Sequence, residues 1–239
     1  MTQYWKPLWN ISAINEFVSP VMKRTLKITA DGSHTFHVSD IDESYHSLHG
    51  AIQESLHVFI KEGFLFHPGR ELRILETGFG TGLNAALTCM ETGKTGKKIR
   101  YDSLELYPLA ANEYSQLNYF EKGTRSREIF IRLHECEWNR SVNISPLFNI
   151  IKLQCNLVTC ELPGKYELVY FDAFSPRAQP EQWRTEIFRK IHNAMTSGGV
   201  LVTYCASGKV RRNMEESGLL VQKIPGPPGK REMIRGVKK

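Results

Sequence analysis

The stretch Glu76-Thr77-Gly78-Phe79-Gly80-Thr81-Gly82 decides the fold of this chain. It follows a short apolar run at residues 72–75, and apolar residues recur at helical spacing over residues 83–90. Glycines at such a point let the backbone turn sharply and let a ligand approach the main chain. The stretch therefore predicts a strand, a glycine-rich turn and a helix, with a ligand at the turn. A glycine turn without a ligand is the alternative.

The spacing of the glycines narrows the choice of ligand. A dinucleotide fingerprint would need a third glycine at position 83, where the chain has Leu83. The Gly-Lys-Ser/Thr ending of a Walker loop is also absent from the stretch. An acidic residue followed by three alternate glycines is instead typical of proteins that bind S-adenosylmethionine (SAM). The turn therefore predicts SAM as the cofactor.

Short apolar strands and helices alternate on the C-terminal side of the turn. The pattern predicts strands at residues 72–75, 99–104, 148–153, 167–171, 200–204, 219–224 and 232–236. It predicts helices at residues 83–90, 108–119, 180–191 and 209–216, and residues 127–140 are helical at their start. Such alternation implies an α/β fold with a mainly parallel sheet covered on both faces. The last two strands are joined by a loop too short for a crossover, so we expect them to pair antiparallel.

The residues on the N-terminal side of the turn show a different pattern of apolar and polar residues. Residues 25–28 and 35–38 alternate around an Asp31-Gly32 turn, which predicts a β-hairpin. Residues 50–62 carry the spacing of an amphipathic helix. We therefore predict an extension at residues 1–68 that packs on a core at residues 69–239.

Two acidic residues follow predicted strands, where an open α/β sheet binds its ligands. Glu105 ends the strand after the glycine turn, and an acid there can accept hydrogen bonds from both ribose hydroxyls of a nucleoside cofactor. Asp172 ends the strand at residues 167–171 and is predicted to face the reacting centre. A solvated Glu105 and an Asp172 that only caps its own turn are the alternatives. Phe174 could stack on a flat substrate.

Composition excludes several classes of protein. Of the 239 residues, 41% are hydrophobic and 23% are charged, so the chain is not globally disordered. It has no apolar run of the ~18 residues that a membrane helix needs, and residues 1–15 lack the apolar core of a secretory signal. The five cysteines include no CxxC pair, and the histidines near the N-terminus lack metal-ligand spacing. We expect a cytoplasmic protein with no metal and no membrane partner.

The excess positive charge is concentrated at the C-terminal end. Residues 209–239 contain nine basic and three acidic residues, which accounts for the whole net charge of +6. A basic segment of this kind is typical of a nucleic-acid contact, and a solvated surface kept basic for solubility is the alternative.

Four stretches together resemble one protein family. They are residues 76–84, residues 171–176 with Pro180 and Trp183, residues 199–204, and residues 225–233. The combination resembles the methyltransferases of the tRNA wobble-uridine pathway that makes 5-methylaminomethyl-2-thiouridine, the MnmC/MnmD type. Tyr45-His46-Ser47 and residues 50–55 are similar to the N-terminal part of that family. The resemblance covers about residues 25–236.

The resemblance implies a Rossmann-like, seven-stranded SAM-dependent methyltransferase fold, SAM as the methyl donor, and the 5-aminomethyl group of a wobble uridine in the tRNA anticodon stem-loop as the acceptor. It implies a separate enzyme that supplies the aminomethyl intermediate. Two-domain members of the family carry an FAD-dependent oxidase domain, and this chain is similar to the stand-alone form without it.

The site residues predicted from these arguments fall into three groups. Asp172 is the predicted catalytic residue. The predicted cofactor-binding residues are Glu76, Gly78, Phe79, Gly80, Thr81, Gly82, Asn84 and Glu105. The predicted substrate-binding residues are Tyr45, Glu54, Phe174, Ser175, Pro176, Lys209, Arg211, Arg212, Lys230 and Arg231.

Two other functions remain open from the sequence. The first is a SAM-dependent methyltransferase that acts on a small-molecule amine, which would have no need of the basic C-terminal segment. The second is a non-catalytic RNA-binding protein with a Rossmann-like core, which would not bind SAM.

Overall fold

The computed structural model of the chain describes Trp9 and residues 22–239. Its centre is an eight-stranded sheet in the order β10-β11-β9-β8-β4-β5-β7-β6. The strands are β4 (Glu71–Thr77), β5 (Lys98–Leu104), β6 (Ser141–Ser145), β7 (Phe148–Leu153), β8 (Tyr166–Phe171), β9 (Met195–Thr203), β10 (Leu219–Pro225) and β11 (Glu232–Lys238). The five neighbouring strands β9, β8, β4, β5 and β7 run parallel. Strand β11 is antiparallel to both β9 and β10. The α/β fold and the antiparallel final pair are therefore confirmed.

Helices cover both faces of this sheet. They are α2 (Leu83–Thr95), α3 (Ala111–Tyr114), α4 (Arg125–Glu135), α5 (Thr185–Ala194) and α6 (Gly208–Glu216), with a 3₁₀ turn at Pro180–Trp183. Two apolar cores result, one on each face. Trp183 is buried in the second core.

The N-terminal part forms a small sheet of its own. Strands β1 (Arg24–Ile28), β2 (His34–Val38) and β3 (Glu43–Ser44) pair antiparallel in that order. Helix α1 (Ala51–Ser55) follows and continues as a wider, π-helical segment at Leu56–Leu65, which packs on β8, β9 and α2. The predicted hairpin and helix are confirmed. The predicted boundary after residue 68 remains a prediction, and residues 1–8 and 10–21, which include most of the stretch searched for a secretory signal, lie outside the described residues.

The predicted count of seven strands is wrong, because β6 adds an eighth at the edge of the sheet. β6 pairs antiparallel with β7 through an irregular register. Its sequence Ser-Val-Asn-Ile-Ser buries Ile144 alone, and polar side chains bridge the pair, with Asn149 bonding to Ser141 and Asn143. A strand with so little apolar alternation leaves only a weak signal in the sequence.

Two predicted element boundaries are also wrong. The helix predicted at residues 108–119 is reduced to the single turn of α3. The strand predicted to begin at residue 200 begins at Met195 and passes through Gly198 and Gly199. A Cβ on Gly199 would lie 2.8 Å from the Thr196 carbonyl oxygen, so the glycine permits a close backbone approach inside the strand rather than ending a helix.

No helix among the described residues is long and apolar enough to cross a membrane.

Candidate active site

A cleft of about 450 Å³ opens at the carboxyl ends of β4, β5 and β8, under the N-terminal sheet. A cleft of this size is typical of a small-molecule site. The predicted site residues that line it are Tyr45, Glu54, Gly78, Phe79, Gly80, Thr81, Asn84, Glu105, Asp172, Phe174, Ser175 and Lys230. The structure therefore brings most of the predicted residues together, from segments far apart in the sequence.

The glycine turn packs tightly between its neighbours. Gly78 has φ +98°, and a Cβ there would lie 2.8 Å from the Asp172 carbonyl oxygen. Gly80 has φ +51°, and a Cβ there would lie 3.0 Å from the Tyr45 ring. Both positions combine a left-handed backbone with a close approach, so a larger residue would push the turn away from either the reacting side or the N-terminal sheet.

Two histidines hold the turn at Thr81, the buried His46 and the partly buried His134. His46 Nε2 lies 2.6 Å from Thr81 Oγ1, and His134 Nε2 donates to the Thr81 carbonyl oxygen at 3.1 Å. Burial lowers the pKa of His46 to about 4 and that of His134 to about 3, so both rings are neutral near pH 7. His134 was not predicted as a site residue, because its contact with a turn 53 positions away leaves no local pattern.

Glu105 is fixed by two backbone N–H groups. Gly80 N donates to Oε2 and Tyr107 N donates to Oε1, each at 2.8 Å. A carboxylate oxygen can accept more than one hydrogen bond, so both oxygens keep acceptor capacity toward the cleft. The arrangement suits a pair of vicinal hydroxyls.

Asp172 lies on the opposite wall of the cleft. Asn84 Nδ2 donates to Asp172 Oδ2 at 2.8 Å. Burial, and after it the negative charge of Glu54, raise the pKa of Asp172 to about 7, against the opposing effects of Asn84 and Lys230. A carboxyl group with a pKa near neutrality can both accept and release a proton.

An ion pair near Asp172 joins helix α1 to the loop before β11. Lys230 Nζ lies 2.5 Å from Glu54 Oε1, and Ser47 N donates to Glu54 Oε2 at 2.8 Å. The ammonium group also lies 4.1 Å from the centre of the Tyr204 ring, within cation–π range. Lys230 is therefore engaged in the wall of the cleft.

Two aromatic rings form the outer wall. Tyr45 and Phe174 meet edge to face, with their centroids 5.0 Å apart. Arg24 fixes the Tyr45 hydroxyl with a 3.0 Å hydrogen bond from Nε and pairs with Glu113. Arg24 was not predicted as a site residue, because Glu113 lies 89 positions away in the sequence.

The other predicted site residues do not line the cleft. Glu76 is buried behind the glycine turn, and Gly82 lies at the N-terminus of α2. Pro176 lies beyond Ser175, whose hydroxyl donates to Glu43. The remaining members belong to the basic C-terminal segment: Lys209, Arg212 and Arg231 are exposed, and Arg211 pairs with Glu215 at 3.7 Å. Their predicted contact with RNA stays a prediction.

The cleft fits SAM by the chemistry of its lining. Glu105 offers acceptors for ribose hydroxyls. Glu54, Glu105 and Asp172 line the cleft together with one lysine, an acidic excess that favours a sulfonium cation. Among the described residues, no group of three or more His, Cys, Asp or Glu side chains is placed to hold a metal ion.

Comparison with known proteins gives a consistent answer. Residues 137–239 match the model of a family described as S-adenosyl-L-methionine-dependent methyltransferase. The tRNA 5-methylaminomethyl-2-thiouridine biosynthesis bifunctional protein MnmC of Leptospira interrogans is 28% identical over 209 residues, which cover 82% of this chain and 32% of that protein. The MnmC protein of Nitrosospira multiformis is 31% identical over 207 residues, which cover 80% of this chain and 33% of that protein. The chain thus spans about a third of the length of these relatives.

Solved structures agree with the sequence relatives. The crystal structure of MNMC2 from Aquifex aeolicus superposes with a TM-score of 0.72 at 25% identity, and the match covers 92% of this chain and 72% of that one. A spermidine synthase from Thermotoga maritima shares the fold alone, with a TM-score of 0.51 at 8% identity over 92% of this chain and 82% of that one. With the glycine turn, Glu105 and Asp172 around one cleft, these matches show that the chain is an S-adenosyl-L-methionine-dependent methyltransferase, similar to the MnmC proteins over most of its length.

Proposed function

We propose that this enzyme transfers the methyl group of SAM to the 5-aminomethyl group of a tRNA wobble uridine, as in 5-aminomethyl-2-thiouridine. The observation that carries the proposal is the position of Asp172, in the same cleft as the glycine turn and beside the aromatic pair Tyr45 and Phe174. The MnmC relatives are named for 5-methylaminomethyl-2-thiouridine biosynthesis in tRNA, which supports the same acceptor.

The cofactor side of the cleft consists of the glycine turn and Glu105. The Glu105 carboxylate would accept hydrogen bonds from the ribose hydroxyls, and its two backbone hydrogen bonds keep it in position for them. SAM supplies an electrophilic methyl group on a sulfonium centre. Because the transfer is a direct displacement, the main task of the protein is to hold donor and acceptor in line, which can supply ~7–11 kcal/mol of the barrier.

Asp172 acts on the acceptor amine. A protonated amine has no free lone pair, so it must lose a proton before it can attack the methyl group. Asp172 accepts a hydrogen bond from this amine and takes the proton, which its pKa of about 7 permits near neutral pH.

The aromatic pair flanks the base of the acceptor. A uridine in an anticodon loop can be splayed out of its stack and held against an aromatic ring. Phe174 supplies such a ring, Tyr45 packs edge to face against it, and Arg24 holds the Tyr45 hydroxyl.

The partners follow from the acceptor. A tRNA anticodon stem-loop would bind over the mouth of the cleft, with phosphates on the basic residues Lys209, Arg211, Arg212 and Arg231. A separate enzyme would supply the aminomethyl group, and the reaction would take place in the cytoplasm.

Nucleoside mass spectrometry tests this proposal. The purified enzyme is incubated with SAM and tRNA from a strain that lacks the corresponding gene, and the digested tRNA is analysed. We expect 5-aminomethyl-2-thiouridine to be replaced by its monomethyl form in reactions that contain both SAM and enzyme. Loss of SAM methyl groups to a free small amine, with the tRNA unchanged, would favour the small-molecule alternative. The match of residues 137–239 to an S-adenosyl-L-methionine-dependent methyltransferase family argues against the non-catalytic alternative.

A further inference from the structure

A buried polar cluster lies behind the cleft, on the far side of Asp172. Its centre is Glu76 on β4, which is fully buried and lies outside the cleft lining. Ser103 on β5 donates to Glu76 Oε2 at 2.5 Å. The side chains of Tyr101 and Asn84 lie close enough to affect the ionisation of the Glu76 carboxyl. Since Asn84 also donates to Asp172, the cluster connects directly to the reacting side of the cleft.

Three polar atoms in this cluster have no hydrogen-bond partner: Glu76 Oε1, Asn84 Oδ1 and the Tyr101 hydroxyl. All three are shielded from solvent, where an unpaired polar group loses its hydrogen bonds to water without replacement and so destabilises the fold. Two of them, the carboxyl oxygen and the amide oxygen, are acceptors. An ionised Glu76 would leave them without a shared donor and would set a negative charge beside the amide oxygen.

One proton on Glu76 Oε1 gives every member of the cluster a partner. The carboxyl O–H then donates to Asn84 Oδ1, and the Tyr101 hydroxyl donates to the remaining lone pair of Oε1. Ser103 keeps its bond to Oε2, and Asn84 keeps its Nδ2 bond to Asp172. We propose that Glu76 is a neutral positioning residue, which donates a hydrogen bond to Asn84 and so fixes the amide that holds Asp172.

The opposite arrangement is less favourable. If the Asn84 amide were turned around, Nδ2 would donate to an ionised Glu76, and Oδ1 would need a proton from Asp172. That arrangement would place the negative charge on the fully buried group and the proton on the group that lines the cleft. Because a charge is more costly where it is farther from water, the proton belongs on Glu76. Burial raises the pKa of Glu76 to about 8, which agrees with this assignment.

The consequence concerns the state of Asp172 and rests on the proposed function. With Nδ2 of Asn84 fixed toward it, Asp172 is held as a hydrogen-bond acceptor, which is the form that can bind and deprotonate the acceptor amine. Besides Asp172, the titratable groups near Glu76 are Tyr101 and Tyr170. Besides Glu76, those near Asp172 are Glu54 of α1, Lys230 before β11 and Tyr204 of the loop after β9. Glu76 would therefore act on the reaction through Asn84 and not through the cofactor.

The variants Glu76→Gln and Glu76→Leu distinguish a neutral Glu76 that donates to Asn84 from an ionised Glu76. The Gln amide can accept from Ser103 with its oxygen and donate to Asn84 with its nitrogen, so it reproduces the neutral acid. We expect Glu76→Gln to keep kcat/KM within about threefold of the wild type, with the acid limb of its pH profile in place. Glu76→Leu leaves Asn84 Oδ1 unpaired and should lower kcat/KM about 10-fold or more and move the acid limb to higher pH. Glu91→Gln, on the outer side of α2, is the matched control.

Outcomes that contradict the proposal are equally specific. If Glu76 were ionised, Glu76→Gln would remove a negative charge near Asp172 and move the acid limb to lower pH. Failure of Glu76→Gln to fold, or a large loss of SAM affinity by calorimetry in that variant alone, would also overturn it.

A spectroscopic measurement tests the protonation of Glu76 without any methyl acceptor. The infrared spectrum at pH 7 should contain a protonated-carboxyl band that is missing in Glu76→Gln and present in Glu91→Gln. Absence of such a difference would refute the neutral state. This measurement holds even if the enzyme proves to act on another substrate, so failure of this inference and failure of the proposed function remain distinguishable.

Discussion

Replacing Lys230 by Met tests whether this basic residue belongs to the reacting site. Met keeps an unbranched apolar stem against the Tyr204 ring and removes the ammonium group that lies 2.5 Å from Glu54 Oε1. Glu54 keeps its bond from Ser47 N but loses its counter-ion while its side chain is only 8% exposed. Lys230→Met should therefore destabilise the fold and also change the ionisation of Asp172.

The expected loss of stability in Lys230→Met depends on how exposed the Glu54–Lys230 pair is. Removing one partner of a fully buried ion pair costs about 3–5 kcal/mol. The Lys230 side chain is 29% exposed, so water reaches the pair and we expect about 2–3 kcal/mol in the free energy of unfolding. Lys230 also lowers the pKa of Asp172 whereas Glu54 raises it. The acid limb of kcat/KM should therefore move to higher pH in Lys230→Met and to lower pH in Glu54→Gln.

Urea unfolding and pH–rate profiles measure the two effects. The double variant Glu54→Gln/Lys230→Met removes both charges and should recover most of the stability, to within about 1 kcal/mol of the wild type. Arg231→Met is the matched control. The Arg231 side chain is next to Lys230 in the sequence but exposed, so replacing it should change the free energy of unfolding by less than about 0.5 kcal/mol. Equal stability of Lys230→Met and wild type, with an unmoved acid limb, would refute the coupling of Lys230 to the site.

Three further predictions address the remaining roles. Glu105→Ala should weaken SAM binding by about 1–3 kcal/mol in calorimetry, through loss of the acceptor for the ribose hydroxyls; unchanged affinity in a folded variant would remove Glu105 from the cofactor site. Asp172→Asn should preserve the fold and lower the methylation rate far more than SAM affinity, and a rate near that of the wild type would leave Asp172 as a structural group. Neutralising Arg211 and Arg212 together should weaken tRNA binding and reduce its salt slope by roughly 1–2 units, whereas equal affinity and slope would favour a solvated helix face.

The cofactor half of the site could be predicted from the sequence because its signals are local. The glycine turn lies within one stretch of residues, and Glu105 and Asp172 each follow an apolar strand. In a parallel sheet, strand ends converge at one edge, so adjacency along the sheet follows from the alternation of strands and helices. The strand order was needed only to confirm that β4 lies between β5 and β8.

The acceptor half could be predicted only in part, because its contacts join distant segments. Tyr45 and Glu54 were identified through a resemblance, and nothing near them in the sequence indicates Arg24 or Lys230 as their partners. The charge count placed Lys230 with the residues predicted to contact RNA, since composition does not show that a lysine is already paired. Its partner Glu54 lies 176 positions away, and that pairing is a property of the fold.

The distribution of these contacts has a consequence for specificity. Glu105 and the glycine turn belong to β4, β5 and the loops that follow them, whereas Tyr45 and Glu54 come from the N-terminal extension and Lys230 comes from the loop before β11. The Glu54–Lys230 pair ties the extension to that loop directly beside Asp172. The part of the cleft proposed to meet the acceptor is therefore built from segments other than those that would hold the cofactor. Changes at Glu54 or in the loop before β11 should alter the choice of acceptor while leaving the glycine turn and Glu105 in place, whereas changes at Tyr45 or His46 should also move the glycine turn, which both residues contact.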